Sequence, residues 1–137
     1  MSYGVAAALQ RAVFSQLSAD TALAALVGAD IYDALPTGAL PPLYVVLGAE
    51  DVRDASDKTG GGAWHQFTVS VVTQSAGFAT AKAAAAAVSD ALVDAPLALD
   101  RGRLISLNFY KAKAARVGTG AVRQINLIFR ARVADDT

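Results

Sequence analysis

Trp64-His65-Gln66-Phe67-Thr68-Val69-Ser70-Val71-Val72-Thr73 alternates between apolar and polar side chains. Phe67, Val69 and Val71 fall on one face and Gln66, Thr68 and Ser70 on the other, the period-two pattern of a strand with one side on a core and one side wetter. Just upstream, Leu43-Tyr44-Val45-Val46-Leu47 is a compact apolar run rich in β-formers and predicts a second strand. Between the two, Gly48-Ala49-Glu50 leads into a polar stretch, residues 51–62, whose composition predicts a loop. Downstream, the period changes. Phe78, Ala81, Ala85, Val88 and Leu92 recur at spacings of three and four, which predicts a helix over residues 78–93 closed by Pro96. Its alanine run, residues 83–87, lets it sit close to its support. The last third predicts a hairpin: a strand over residues 104–116, a Gly118-Thr119-Gly120 turn, and a strand over residues 122–133. Ile125, Leu127, Phe129 and Ala131 alternate inward there, and Phe109 is assigned to the core with Phe129.

At the other end of the chain, Ser2 can cap a helix over residues 3–17, with Val5, Leu9, Val13 and Leu17 on one stripe. Ser18 or Asp20 restarts a short helix through Leu23, Leu26 and Val27, and Gly28 is placed to end it in a left-handed conformation. Ile31-Tyr32 is a short extended piece before Pro36, Pro41 and Pro42, which forbid helix. This order of elements predicts an α+β fold: a mainly antiparallel four-stranded sheet with helices packed on one face. One domain is expected over residues 1–134, with residues 135–137 as a polar tail that frays.

Hydrophobic residues make up 54% of the 137 and charged ones 18%, enough to build one core and too little for a disordered chain. Much of the apolar content is alanine, which buries little area per residue, so support from neighbouring molecules is expected. Twelve basic and twelve acidic residues cancel, which removes the case for non-specific nucleic-acid binding or an anionic membrane surface. Their distribution is uneven. The first hundred residues hold four basic against ten acidic, whereas residues 101–132 hold eight basic and no acid. Cysteine is absent, which excludes disulfides, thiolate metal sites and thiol nucleophiles. No apolar run approaches the roughly 20 residues that span a bilayer, and a basic signal-peptide start is lacking, so a cytoplasmic site of synthesis is expected.

Candidate chemistry is thin. Lys58-Thr59-Gly60-Gly61-Gly62 has the glycines of a phosphate cradle, but a P-loop carries its lysine after the glycines and leads into a helix, whereas a strand follows here. A flexible loop is expected instead. Lys58-Thr59-Gly60 also matches a penicillin-binding-type triplet, without any Ser-x-x-Lys to accompany it. His65 is the only histidine, and Glu50, Asp51, Asp54 and Asp57 do not follow a calcium-loop spacing, so no metal or cofactor is expected and His65 is read as a solvated or edge-strand residue. Those carboxylates lie in a charged, glycine-rich segment unsuited to the burial that splits the pKa values of an acid–base pair. They are read as a loop that orders against a partner. The basic hairpin says more: Lys111 and Lys113 share a strand face, with Arg116 near the turn and Arg123 on the return. Nucleic acid, an acidic neighbouring subunit and an ordinary solvated hairpin are the alternatives. An acidic neighbour matches the minus-six balance of the first hundred residues, and such a head-to-tail contact closes into a ring.

Leu17-Ser18-Ala19-Asp20 leading to Leu26-Val27-Gly28, then Ile31-Tyr32-Asp33 and Leu40-Pro41-Pro42-Leu43-Tyr44-Val45-Val46-Leu47-Gly48, resembles the small tail-completion proteins of long-tailed phages and gene transfer agents. The Phe67 to Val72 strand, the helix over residues 79–92 and the closing Ile125 to Ala131 strand sit where that family has them. The resemblance implies a virion protein without catalysis: a tail terminator, hexameric in the family, that caps the last layer of tail-tube subunits, stops polymerisation and presents a surface to the head connector. Its implied partners are copies of itself, the tail-tube protein and a connector or stopper protein, with DNA only as cargo in the lumen and no membrane. Asp51, Arg53, Asp54, Asp57 and Lys58 are candidates for tube or connector contact, and Lys111, Lys113, Arg116 and Arg123 for the neighbouring subunit. Another neck component is the alternative within this class, and a small ligand-binding domain or enzyme the alternative outside it.

Overall fold

The structure is a computed structural model, and it describes residues 3–57, 60–75, 77–118 and 122–135. In chain order the elements are α1 (Ala6–Ala19), α2 (Thr21–Val27), β1 (Ile31–Tyr32), β2 (Leu43–Asp54), β3 (Gly61–Thr73), α3 (Ala79–Leu92), β4 (Arg103–Arg116) and β5 (Arg123–Asp135). The fold is α+β, with three helices and one sheet.

The sheet has five strands in the order β1-β2-β3-β5-β4 and is mixed, where a mainly antiparallel sheet of four strands was expected. The difference is β1, which pairs parallel to β2 through Ile31 opposite Val45 and Tyr32 opposite Val46. Two residues carry no periodicity, and this pairing is set by a neighbour beyond the proline loop: the Val45 amide donates to the Asp30 carbonyl at 3.0 Å. All other pairs are antiparallel. After β3 the chain crosses by α3 to the far edge, forms β4, and returns as β5 between β4 and β3.

The polar stretch expected as a loop is largely a hairpin. β2 runs on to Asp54 and β3 starts at Gly61, and an Asp57–Gly60 bridge closes the end of the pair. A bulge between Leu47 and Glu50 hides this from the sequence pattern. It shifts the alternation by one, and the strand then passes beyond the core, where charged side chains occupy both faces. Gly61 and Gly62 accordingly lie in a strand, and a Cβ on Gly62 would stand 2.9 Å from the Val133 carbonyl oxygen. Close approach of β5 is what the glycine serves.

One core joins the helices to one face of the sheet. Val5 at the N-cap of α1 and Leu9, Val13 and Leu17 within it form the expected stripe, and α2 contributes Leu23 and Val27. α3 buries Ala81, Ala84, Val88 and Leu92, and the sheet presents Val69, Val71, Leu127 and Phe129 among others. Phe67 stacks on Phe129 with ring centroids 5.7 Å apart. Phe109 lies on the same face but at the open edge, 46% exposed, so its assignment to the core is corrected: the core takes in Leu107 of β4 and stops short of Phe109.

Helix ends follow local chemistry. Asp20 caps α2 by accepting the Leu23 amide at 2.9 Å. Gly28 ends that helix at φ 60° as expected, but its ψ of −130° lies outside the left-handed helical region. α1 begins at Ala6, later than the sequence indicated, and Ser2 lies outside the described residues. Gln16 donates to the Ala91 carbonyl and ties α1 to α3. Asp135, expected in the polar tail, is the last residue of β5, paired with Gly61 and bridged by Arg101 at 2.9 Å. The rest of that tail and Thr119-Gly120 of the expected turn lie outside the described residues.

Close packing of α3 gives a direct test. Ala84 is fully buried while Ala83 faces solvent, so A84L should cost about 1–3 kcal/mol by overpacking and A83L should stay within about 0.5 kcal/mol, read by chemical denaturation.

Candidate functional site

The register places side chains of the outer face, away from the helices, in rows across the sheet. Arg53, Trp64, Arg132 and Ser106 form one row; Asp51, Gln66, Arg130 and Asn108 form the next. Thr68, Ile128 and Lys111 follow, then Val46, Ser70, Asn126 and Lys113. A second bulge, between Phe109 and Lys111, turns Tyr110 onto this face as well. In these rows five cations, Arg53, Arg130, Arg132, Lys111 and Lys113, share the surface with one carboxylate, Asp51.

Aromatic rings organise the cations. The Arg130 guanidinium lies 5.3 Å from the Trp64 ring and 4.9 Å from the Tyr110 ring, and Arg132 lies 5.8 Å from Trp64. Such stacking is worth about 0.5–1 kcal/mol at an exposed site, and it fixes the planar forks without using their N–H donors. Asp51, Arg53, Trp64, Gln66, Tyr110 and Arg130 line a shallow cavity of about 280 Å³. Its donors suit a carboxylate. Towards the other end the central strands are neutral: Ser70 donates to Asn126 Oδ1 at 2.7 Å, as does Gln124.

The sequence candidates therefore divide. Asp51, Arg53, Lys111 and Lys113 come together on the outer face. Asp54 and Asp57 instead hold the tip of the β2–β3 hairpin: Asp54 accepts from the Ser56 hydroxyl, which lowers its carboxyl below the usual range, and Asp57 accepts the Gly60 amide. Lys58 lies outside the described residues. Arg116 sits opposite Arg123 at the far end of the sheet. Arg123 donates to the Ser75 carbonyl at 3.0 Å and stacks 5.5 Å from Phe78, which makes it a clasp on the β3–α3 connection. Sequence reasoning missed Trp64, Tyr110, Arg130 and Arg132. The signal for the arginines was present, since inward Phe129 and Ala131 force Arg130 and Arg132 outward.

His65 is the second correction. It is fully buried in the centre of β3, where a solvated or edge position was expected, because it follows the inward phase of Phe67 and Val69. Its Nδ1 stands 3.7 Å from Glu50 Oε2, and Glu50 also accepts a hydrogen bond from the Tyr3 hydroxyl. Burial pushes the imidazole below its ordinary value, against the opposing pull of Glu50. Among the described residues no three His, Asp or Glu side chains are grouped to hold a metal ion, and no helix is long and apolar enough to cross a membrane.

Two sheet edges remain open, beside a face of oriented charge and a small α+β core. This is the make-up of a subunit that works through its surfaces. The chain belongs to the tail completion protein gp17 family, whose match spans residues 11–134. It is also similar to a chain in the solved structure "Virion of native gene transfer agent (GTA) particle", with 65% identity over 97% of this chain and 99% of that one, and a TM-score of 0.93. No curated protein matches it. The chain is a structural virion protein of the tail of a phage-like particle.

The buried histidine predicts a pH response. Because the folded pKa is depressed, stability is complete above the unfolded value of about 6.5 and falls as pH drops through the folded value. Melting temperature should therefore decline from pH 7 towards pH 5. H65L should flatten that part of the profile, and an unchanged slope would show that another group controls it.

Proposed function

We propose that the chain is a tail terminator: a single-domain subunit that assembles as a ring, six-fold in the family, on the last layer of tail-tube subunits, stops tube growth and joins the tail to the head connector. Membership of the tail completion family carries this reading, supported by the near full-length match to a virion chain of a gene transfer agent particle. The surfaces agree with it. The β2–β3 hairpin, with Asp54 and Asp57 at its tip, projects from one end of the sheet and serves the tube or connector; Lys111, Lys113 and Arg116 on β4 serve the neighbouring subunit. Copies of this chain, the tube protein and a connector or stopper protein are its partners, and DNA passes through the lumen as cargo. Its work is binding and not turnover.

Deleting the gene should leave particles with overlong tails or tails without heads, counted by negative-stain imaging. Tails of normal length joined to full heads would overturn the reading. If the charges of β4 help hold the ring, K111E/K113E should weaken assembly several-fold, and added salt should weaken the native ring in the same direction, both read by light scattering.

A further inference from the structure

β4 and the distal half of β2 are the open ends of one sheet. β4 is 14 residues long and, among the described residues, pairs as a strand only with β5; its Leu107 carbonyl accepts the Asp94 amide at 2.9 Å, and the open stretch lies beyond that residue. It contains no proline, and it exposes Ile105 (50%), Phe109 (46%) and Tyr110 (48%). A long edge of this kind invites pairing unless something covers it. At the opposite end β1 covers β2 only at Val45 and Val46, so residues 47–54 have no strand on that side among the described residues.

We infer that β4 of one subunit pairs with the uncovered half of β2 in the next copy of this chain, continuing the sheet from subunit to subunit. The inference rests on the ring reading and gives it a main-chain contact. Three observations select a second copy as the occupant. β2 runs antiparallel to β3, β3 to β5 and β5 to β4, so a copy placed head-to-tail in the same orientation brings its β2 antiparallel to β4. Beyond its last bulge β4 runs unbroken over Lys111–Arg116 with three cations, and beyond its bulge β2 runs over residues 50–54 with Glu50, Asp51 and Asp54 against Arg53 alone. A two-fold contact between identical edges would set basic β4 against basic β4. Pairing by main-chain hydrogen bonds supplies affinity, and the charges supply direction and register.

Hydrogen exchange measured by mass spectrometry on free subunits and on rings, assembled alone or on purified tail-tube ends, tests this. Amides of β4 and of residues 47–54 should exchange roughly tenfold or more slowly in the ring, while β3, paired on both sides already, should change little. The partner is identified by cross-linking, which is clean because the native chain has no cysteine. Separately tagged A115C and A49C subunits should join to each other through a short bismaleimide, and neither should join to itself. Rings whose β4 amides exchange as in the free subunit would overturn the edge contact and leave the ring standing. Cross-links from A115C to the tube protein alone would assign the edge to the tube and also overturn it. Absence of rings both in solution and on tube ends would overturn both readings.

Discussion

The pairing register of β3 with β5 governs everything else in the molecule. Thirteen consecutive residue pairs, from Gly61 with Asp135 to Thr73 with Arg123, join the two strands without a bulge. Because side chains alternate strictly, a slip of one residue on β3 would turn Phe67, Val69 and Val71 to the outer face and bring Gln66, Thr68 and Ser70 under the helices. Burying those polar groups without partners would cost about 1–3 kcal/mol each. The correct register sets Phe67 directly against Phe129 on the inside and Trp64 against Arg132 on the outside. Core and charged surface are thus two results of one alignment.

On the inner face the helix layer is narrower than the sheet. α3 is held close by alanines, and small side chains reduce both its reach and the area it buries. Together α1, α2 and α3 cover the strands from β1 to β5 and Leu107 of β4, and the rest of β4 projects past them, leaving Phe109 in contact with Phe129 on one side and solvent on the other. Open edge and alanine-rich helix are connected features. A bulkier helix would cover more of β4 and close the surface that the ring reading requires.

The local elements could be read from the sequence because their causes are local. The α1 stripe from Val5 to Leu17, the Asp20 cap, the alternation around Phe67 and the helix ending before Pro96 each depend on residues within a turn or two of one another. What escaped depends on distance. β1 is a strand only because Val45 lies beside Asp30, and the β2–β3 hairpin was hidden by a bulge that inverts the phase at Glu50. His65 was read as solvated from its type, although its phase with Phe67 pointed inward. The outer face was half legible: Arg130 and Arg132 followed from the alternation, but their meeting with Trp64 and Tyr110 needs the neighbouring strands and the bulge at Tyr110. Arg123 illustrates the reverse error, since a cation near a turn looks free until Phe78 and Ser75 are folded beside it.

Charge segregation also bears on how copies of such a chain associate. A formal net charge of zero means that gathering copies accumulates no overall repulsion. Meanwhile the acidic first hundred residues and the basic stretch after them give each copy two unlike ends, and β2 and β4 carry those ends to opposite edges of the sheet. Contacts between like edges are penalised and contacts between unlike edges favoured, so the ring proposed above is best served by heterologous contacts that run in one direction. Such contacts end in a closed ring or continue as a filament. A flat sheet extended without interruption leads to the filament, whereas bulges in both edge strands, between Leu47 and Glu50 in β2 and at two places in β4, bend and shorten the stretches that can pair. Curvature at each joint is the geometric condition for closure, and in this chain it is built into the strands that would make the joint.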